Sequence, residues 1–366
     1  MSITMTKHYI ARQRLLHQRI ASDFFGKPEQ VVQYMGALQA QDYHQVLWAV
    51  GSRLQSASVT EVEQAIAAGK MVLTWLLRGT IHMVSSDDVR WMLKLVAPRL
   101  QAREQKRHEQ LGLTKEMVER SRDIIVDALQ GNQRLTRDAL MELLEYSGIG
   151  TSHQRGYHLL WYFAQSGLIC MGPKEGKQQT FVLLEEWIPR SRDLSREEAL
   201  ALLAERYFYG HGPATVQDFA WWAGITLSDA RKGLEAVSFS LESMELENQV
   251  YWVRADGFAG HEGQVTSVHL LPGFDEYVLG YKERDVVLEA EFAPRVVPGN
   301  NGVFMPTIVI DGQVSGIWKR TLKSKGIHME IDLFIPQKER KNDIEEAARR
   351  YCSFMGMPLL DLSISS

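Results

Sequence analysis

The stretch GALQAQDYHQVLWAVGSRL, residues 36–54, places Gln39 and Gln41 either side of one alanine, with Tyr43 and Trp48 close behind. Glutamine is neutral, cannot act as a strong base, and is costly to bury without partners. A Gln-Ala-Gln ahead of an apolar run therefore reads either as a solvated helix end or as a site that uses amides. In an extended segment residues two apart share a face, so both amides would reach one small site. There they could hold a water and read a base edge or a sugar.

Outward from this stretch, apolar spacing predicts helices over 7–22 and 28–38, the second with Pro28 in its first turn. TEVEQAIAAGK (60–70) starts with the capping-box pair Thr60 and Glu63 and stops at Gly69. VLTWLLRGTIHMV (72–84) is a β-rich run, and SSDDVRWMLKLVAPRL then opens a helix. Helices followed by a strand-like wing make a winged-helix pattern. The pattern returns as helices over 114–129, 135–147 and 152–169 with the strands ICMGP and QTFVLLEEW. It returns again from residue 195, where GPATVQDFAWWAGI reads as helix, turn and recognition helix. Past residue 245 the chain alternates apolar and polar residues between Gly and Pro, and VIDGQVSGIW (309–318) carries the Asp-Gly signal of a tight hairpin. The expected fold class is α+β. Three tandem winged-helix units, at 1–113, 114–194 and 195–248, precede an antiparallel β-barrel with a terminal helix at 249–366, the whole being C-shaped.

Composition narrows the function classes. The 366 residues are 45% hydrophobic and 23% charged, as in an ordinary globular protein, and no apolar run is long enough for a membrane span. The N-terminus lacks the apolar core of a signal peptide, and the two cysteines, Cys170 and Cys352, form no disulfide framework or Cys-pair zinc site. A cytoplasmic protein is expected. P-loop, GxGxxG, GxSxG and HExxH motifs are absent, His261-Glu262 is an isolated pair, and no metal or cofactor is expected. The net charge of −4 hides a gradient: residues 1–107 carry 14 Lys and Arg against 8 Asp and Glu, while residues 108–270 carry 15 against 23. A basic first third on an acidic body fits a DNA footprint, or a chance clustering on solvated helices.

Two further stretches could carry chemistry. Were 72–84 one strand, Arg78, Thr80 and His82 would share a face suited to lying on phosphates, or simply form the polar outer side of a half-buried strand. LLPGFDEYVLGYKERD (270–285) gathers Asp275, Glu276, Tyr277, Tyr281 and Arg284 around tight turns. It could equally be a hairpin whose tyrosines pack a core.

Taken in order, LQAQDY…WAVGSRL, RGTIHMV, HGPATVQDFAWWAG, LLPGFDEYVLGY and VIDGQVSGIWKR resemble the AlkZ-type bacterial DNA glycosylases, in the winged-helix family that also includes YcaQ. The resemblance runs over nearly the whole chain. It implies a winged-helix clamp on double-stranded DNA, excision of N7-alkylated purines and, in some members, unhooking of interstrand crosslinks. It makes Gln39 and Gln41 the catalytic pair of a Gln-x-Gln motif, with Asp42 outside the position that a Gln-x-Asp branch uses. DNA contacts are expected from Tyr43, Arg53, Arg78, Thr80, His82, Asp275, Tyr277, Arg284, Trp318 and Arg320. No lysine stands out as a Schiff-base nucleophile, so a monofunctional enzyme acting as a monomer is expected. The alternative is a non-enzymatic winged-helix DNA-binding protein, for example a transcription regulator.

Overall fold

The computed structural model describes residues 6–21, 24–56, 58–255 and 267–366; the His261-Glu262 pair lies outside them. The chain divides into two compact units. One is discontinuous, built from Met1–Glu63 and Leu200–Ser366, and the other is Gln64–Ala199.

In the discontinuous unit a five-stranded sheet runs in the order Leu359–Ser365, Gly326–Leu333, Gln313–Lys323, Thr307–Ile310, Val268–Leu271. Its edges are the first and last of these, and the Gly326–Leu333 strand pairs with Leu359–Ser365 in parallel. The expected antiparallel barrel is therefore corrected to an open, mixed sheet. The last strand arrives through the helix Lys341–Phe354, a crossover of the kind that parallel pairing requires. The Asp-Gly hairpin forms as its sequence dictates: Ile310 pairs with Gln313, and both Asp311 (φ 51°) and Gly312 (φ 90°) take positive φ. Gly312 also brings its backbone against the helix Lys7–His17, where a Cβ would stand 3.2 Å from Ala11. Ile10, Leu15, Ile20, Leu271, Tyr277, Val287 and Val309 fill the core around this junction. A separate hairpin, Leu241–Leu246 with Gln249–Arg254, is tied to Ala214 through reciprocal Trp252 bonds of 2.8 and 3.0 Å.

In Gln64–Ala199 the strands run in the order Ile81–Ser85, Met71–Trp75, Ile169–Met171, Thr180–Leu183, Leu135–Thr136. Around them lie the helices Val89–Gln110, Lys115–Leu129, Arg137–Tyr146 and Arg155–Gln165. The run 72–84 is a hairpin, not one strand. Arg78 (φ 57°) and Gly79 (φ 81°) reverse the chain, Leu76 N–H bonds Thr80 O at 2.9 Å, and Thr74 pairs with His82. The capping box also sits two residues earlier than Thr60 and Glu63: Ser58 N–H and Oγ–H both donate to Glu61, and Glu61 N–H donates back to Ser58 Oγ. No helix among the described residues is long and apolar enough to cross a membrane.

Candidate active site

The Gln-Ala-Gln segment joins two helices whose ends the sequence fixes. Pro28–Met35 stops at Gly36, whose φ of 78° favours glycine. The chain then runs as a short buried strand, Ala37–Gln39, and bends at 41–42. Asp42 caps the next helix, Tyr43–Gly51, accepting from His44 N–H at 2.9 Å and Gln45 N–H at 3.2 Å. Its carboxylate is thus turned to the helix end. Gln39 is 8% exposed, whereas Gln41 is on the surface. The pair therefore straddles the boundary between the interior and solvent, with the paired strand ending at Gln39.

Residues 270–276 brace this segment at four points. Trp48 Nε1–H donates to Leu270 O at 2.7 Å, and Gly273 N–H donates to Gln45 Oε1 at 2.9 Å. Arg53 makes a bidentate pair with Asp275, and Gln39 N–H donates to Glu276 Oε1 at 3.0 Å. Glu276 is 1% exposed, and its Oε2 accepts from Trp222 Nε1–H at 2.9 Å and lies 3.4 Å from His211 Nε2. Burial holds His211 below its ordinary pKa, against the opposing hydrogen bond and charge of Glu276, so the imidazole is neutral at neutral pH.

The two ends of this brace are linked through a buried polar chain. Arg53 Nη2 donates to Gln18 Oε1 at 2.7 Å, Gln18 Nε2 donates to Tyr281 Oη at 3.1 Å, and Tyr281 O–H donates to His211 O at 2.6 Å. The Arg14 guanidinium lies 3.5 Å from the centre of the Tyr281 ring and donates to Pro213 O. Most of the donors in this network meet acceptors, although Arg14 Nη1 and Arg53 Nε are buried without one among the described residues.

The expected DNA-contact residues fall into three groups. Arg53, Asp275, Tyr277 and Trp318 are buried and bonded internally: Tyr277 O–H donates to Ala11 O and Gly312 O, and Trp318 Nε1–H to Leu271 O. Their placement is that of the frame behind the Gln segment, which revises the role read from the sequence. Tyr43, Arg284 and Arg320 are partly exposed. Tyr43 O–H reaches Glu63 at 3.4 Å, and burial raises its pKa. Arg284 donates to Val278 O and lies over the Trp221 and Phe304 rings, and Arg320 lies over Tyr351. Arg78, Thr80 and His82 sit in the 71–85 hairpin, not on one strand face. His82 is fully buried, with Nδ1 3.0 Å from Thr80 O, while Arg78 and Thr80 are half-exposed at the turn. The one-face argument failed because Arg78 itself occupies the reversal.

Sequence reasoning passed over His211, Trp222 and Gln45 as site residues, and gathered Glu276 in the 270–285 cluster without giving it a role. The signal was present: these residues lie in the stretches LQAQDYHQ, HGPATVQDFAWWAG and LLPGFDEYVLGY, which meet through the bonds of Glu276 and Gln45. Among the described residues no group of three or more His, Cys, Asp or Glu side chains could hold a metal ion.

A curated protein from Streptomyces sahachiroi described as an interstrand DNA cross-link repair glycosylase is 26% identical over 318 residues, covering 82% of each chain. The solved structure of the Streptomyces sahachiroi DNA glycosylase AlkZ superposes with a TM-score of 0.83 at 22% identity, covering 99% of this chain and 100% of that one. Residues 32–354, from the helix before the Gln segment to the end of the terminal helix, match the family described as DNA glycosylase AlkZ-like, and the chain belongs to that family.

Proposed function

We propose that this protein is a monofunctional glycosylase that releases N7-alkylated purines from double-stranded DNA, with Gln39 and Gln41 positioning a water at C1′. The observation that carries the reading is the Gln39-Ala-Gln41 segment, held at the edge of the interior by a frame of buried and part-buried hydrogen bonds. N7 alkylation gives the purine a positive charge and makes it a good leaving group, so the C1′–N9 bond breaks with little help from a general acid. What remains is to place a water and tolerate an oxocarbenium-like sugar, and neutral amides can do both. Neither amide can take a proton as a carboxylate would.

The Streptomyces sahachiroi relative is described as acting in interstrand cross-link repair, and we extend that substrate class to this chain. A crosslink joined through N7 of a purine presents the same cationic leaving group as 7-methylguanine, so one mechanism serves both.

The deciding experiment incubates alkylated duplex DNA with the protein and measures free 7-methylguanine. Release by wild type, slowed by about 100-fold or more in Gln39→Ala and Gln41→Ala with DNA affinity kept, is the expected result. Binding without release would make the chain a non-enzymatic DNA-binding protein. Release at the wild-type rate by the double variant would remove the amides from the mechanism.

A further inference from the structure

We propose that Glu276 is a positioning residue for excision: its buried carboxylate clamps the peptide that carries Gln39 to the Trp222 indole and the His211 imidazole. The inference rests on the reading of Gln39 and Gln41 as the working pair. Gln39 N–H meets Oε1 at 3.0 Å, Trp222 Nε1–H meets Oε2 at 2.9 Å, and His211 Nε2 lies 3.4 Å from the same oxygen. These groups come from four separate parts of the chain: a short strand, the helix Val216–Ala223, the end of the helix Arg196–His211, and the first residue of the helix Glu276–Leu279.

A carboxylate suits this position for a specific reason. Both of its oxygens accept, so it can take donors from opposite sides at once. An amide accepts through one oxygen and turns an NH₂ toward the remaining donors. Glutamine in place of Glu276 would therefore set N–H against N–H at either Gln39 or Trp222, although its shape is nearly the same. The surroundings leave little room for readjustment. His211 stacks on Tyr207 at 4.7 Å between centroids, and a Cβ on Gly280 would stand 2.8 Å from the His211 ring. Gln39 is followed by one alanine and then Gln41, so a shift of its peptide moves both amides together. Displacement of a working group by about 1 Å can cost about 100-fold in rate.

The test uses the full chain, a duplex bearing 7-methylguanine, and single-turnover excision with enzyme in excess. DNA affinity is measured by fluorescence anisotropy and folding by thermal melting. Glu276→Gln should lower the single-turnover rate by about 10- to 100-fold while leaving Kd within about twofold. In a Gln39→Ala/Gln41→Ala background the same change should cost nothing more, because both groups it positions are gone. Trp222→Phe, which keeps an aromatic ring but removes the indole N–H, should slow excision several-fold with the same non-additivity, and it decides the matter if Glu276→Gln does not fold. Wild-type rates in Glu276→Gln, or losses that multiply with those of the Gln39→Ala/Gln41→Ala double variant, would overturn the positioning role while leaving the Gln pair in place. An undiminished rate in Gln39→Ala alone would overturn the reading beneath it as well.

Discussion

Arg53 and Asp275, 222 residues apart in sequence, form a bidentate ion pair with both N···O distances at 2.9 Å and side chains 0% and 1% exposed. Two planar groups matched in this way gain directionality as well as charge compensation. Removing one member leaves the other charged and buried, and Asp275→Ala should lower unfolding free energy by about 3–5 kcal/mol. Arg53→Lys should recover only part of that loss, because a lysine cannot make the two-pronged contact. Urea denaturation of the three proteins measures this. Asp275→Ala within 1 kcal/mol of wild type would mean that the pair contributes little to holding residues 270–276 against the Gln segment.

Substrate range gives the sharpest chemical expectation. If the amides only assist departure of an already cationic base, the enzyme releases 7-methylguanine and 3-methyladenine but leaves uracil and 1,N6-ethenoadenine in place. Those neutral bases need protonation, and the carboxylate nearest in sequence, Asp42, is engaged in capping the helix Tyr43–Gly51. Single-lesion duplexes scored for abasic-site cleavage make the comparison. Efficient removal of uracil would reveal a general acid at the site.

Arg78 offers a test of phosphate contact. It keeps a left-handed backbone (φ 57°) that arginine and alanine tolerate about equally, so Arg78→Ala isolates the side chain. Affinity should fall on all DNA sequences alike, and the slope of log K against log salt should shrink by about one. A salt slope equal to wild type would remove Arg78 from the phosphate contacts.

His269, on the strand Val268–Leu271, provides a pH dependence. Burial, helped by the Arg350 charge, pushes its pKa down from 6.5 to about 3. Between those values the unfolded chain binds a proton that the folded chain refuses, so stability rises with pH across that window and falls on acidification. His269 alone contributes a slope of about 1.4 kcal/mol per pH unit there. His269→Gln should flatten the acid limb of a stability–pH curve recorded by denaturant melts. A slope unchanged by the substitution would show that this imidazole is not held neutral.

The alternating strands past residue 245 and their Asp-Gly turn were legible from periodicity and turn chemistry alone. Closure of the sheet was not, since nothing local to Leu359–Ser365 tells a strand whether to pair in parallel or close a barrel. The 72–84 run deceived for a related reason: Arg78 in a left-handed turn leaves no mark that a β-rich run would not also carry. At the site, Gln39 and Gln41 stood out by being amides beside an apolar run. Glu276 stood out only as one of a cluster, because its bond to the Gln39 N–H spans 237 residues. Charged and aromatic residues such as Arg53 and Trp318 looked like DNA contacts in one dimension and prove to be framework once burial is known.

The division of one unit between Met1–Glu63 and Leu200–Ser366 has a consequence for how the protein is made. Gln39 leaves the ribosome early, but Gly273 and Glu276, which hold its segment, follow more than 230 residues later. At about 5–20 residues per second, that is a delay of roughly ten to fifty seconds. During that interval Gln64–Ala199 can collapse alone, whereas the segment 36–54 has its apolar face uncovered and its glutamines unbraced. Under the proposed mechanism, competence therefore arrives late in synthesis, and a chain released before residue 276 carries Gln39 and Gln41 without the groups that brace their segment.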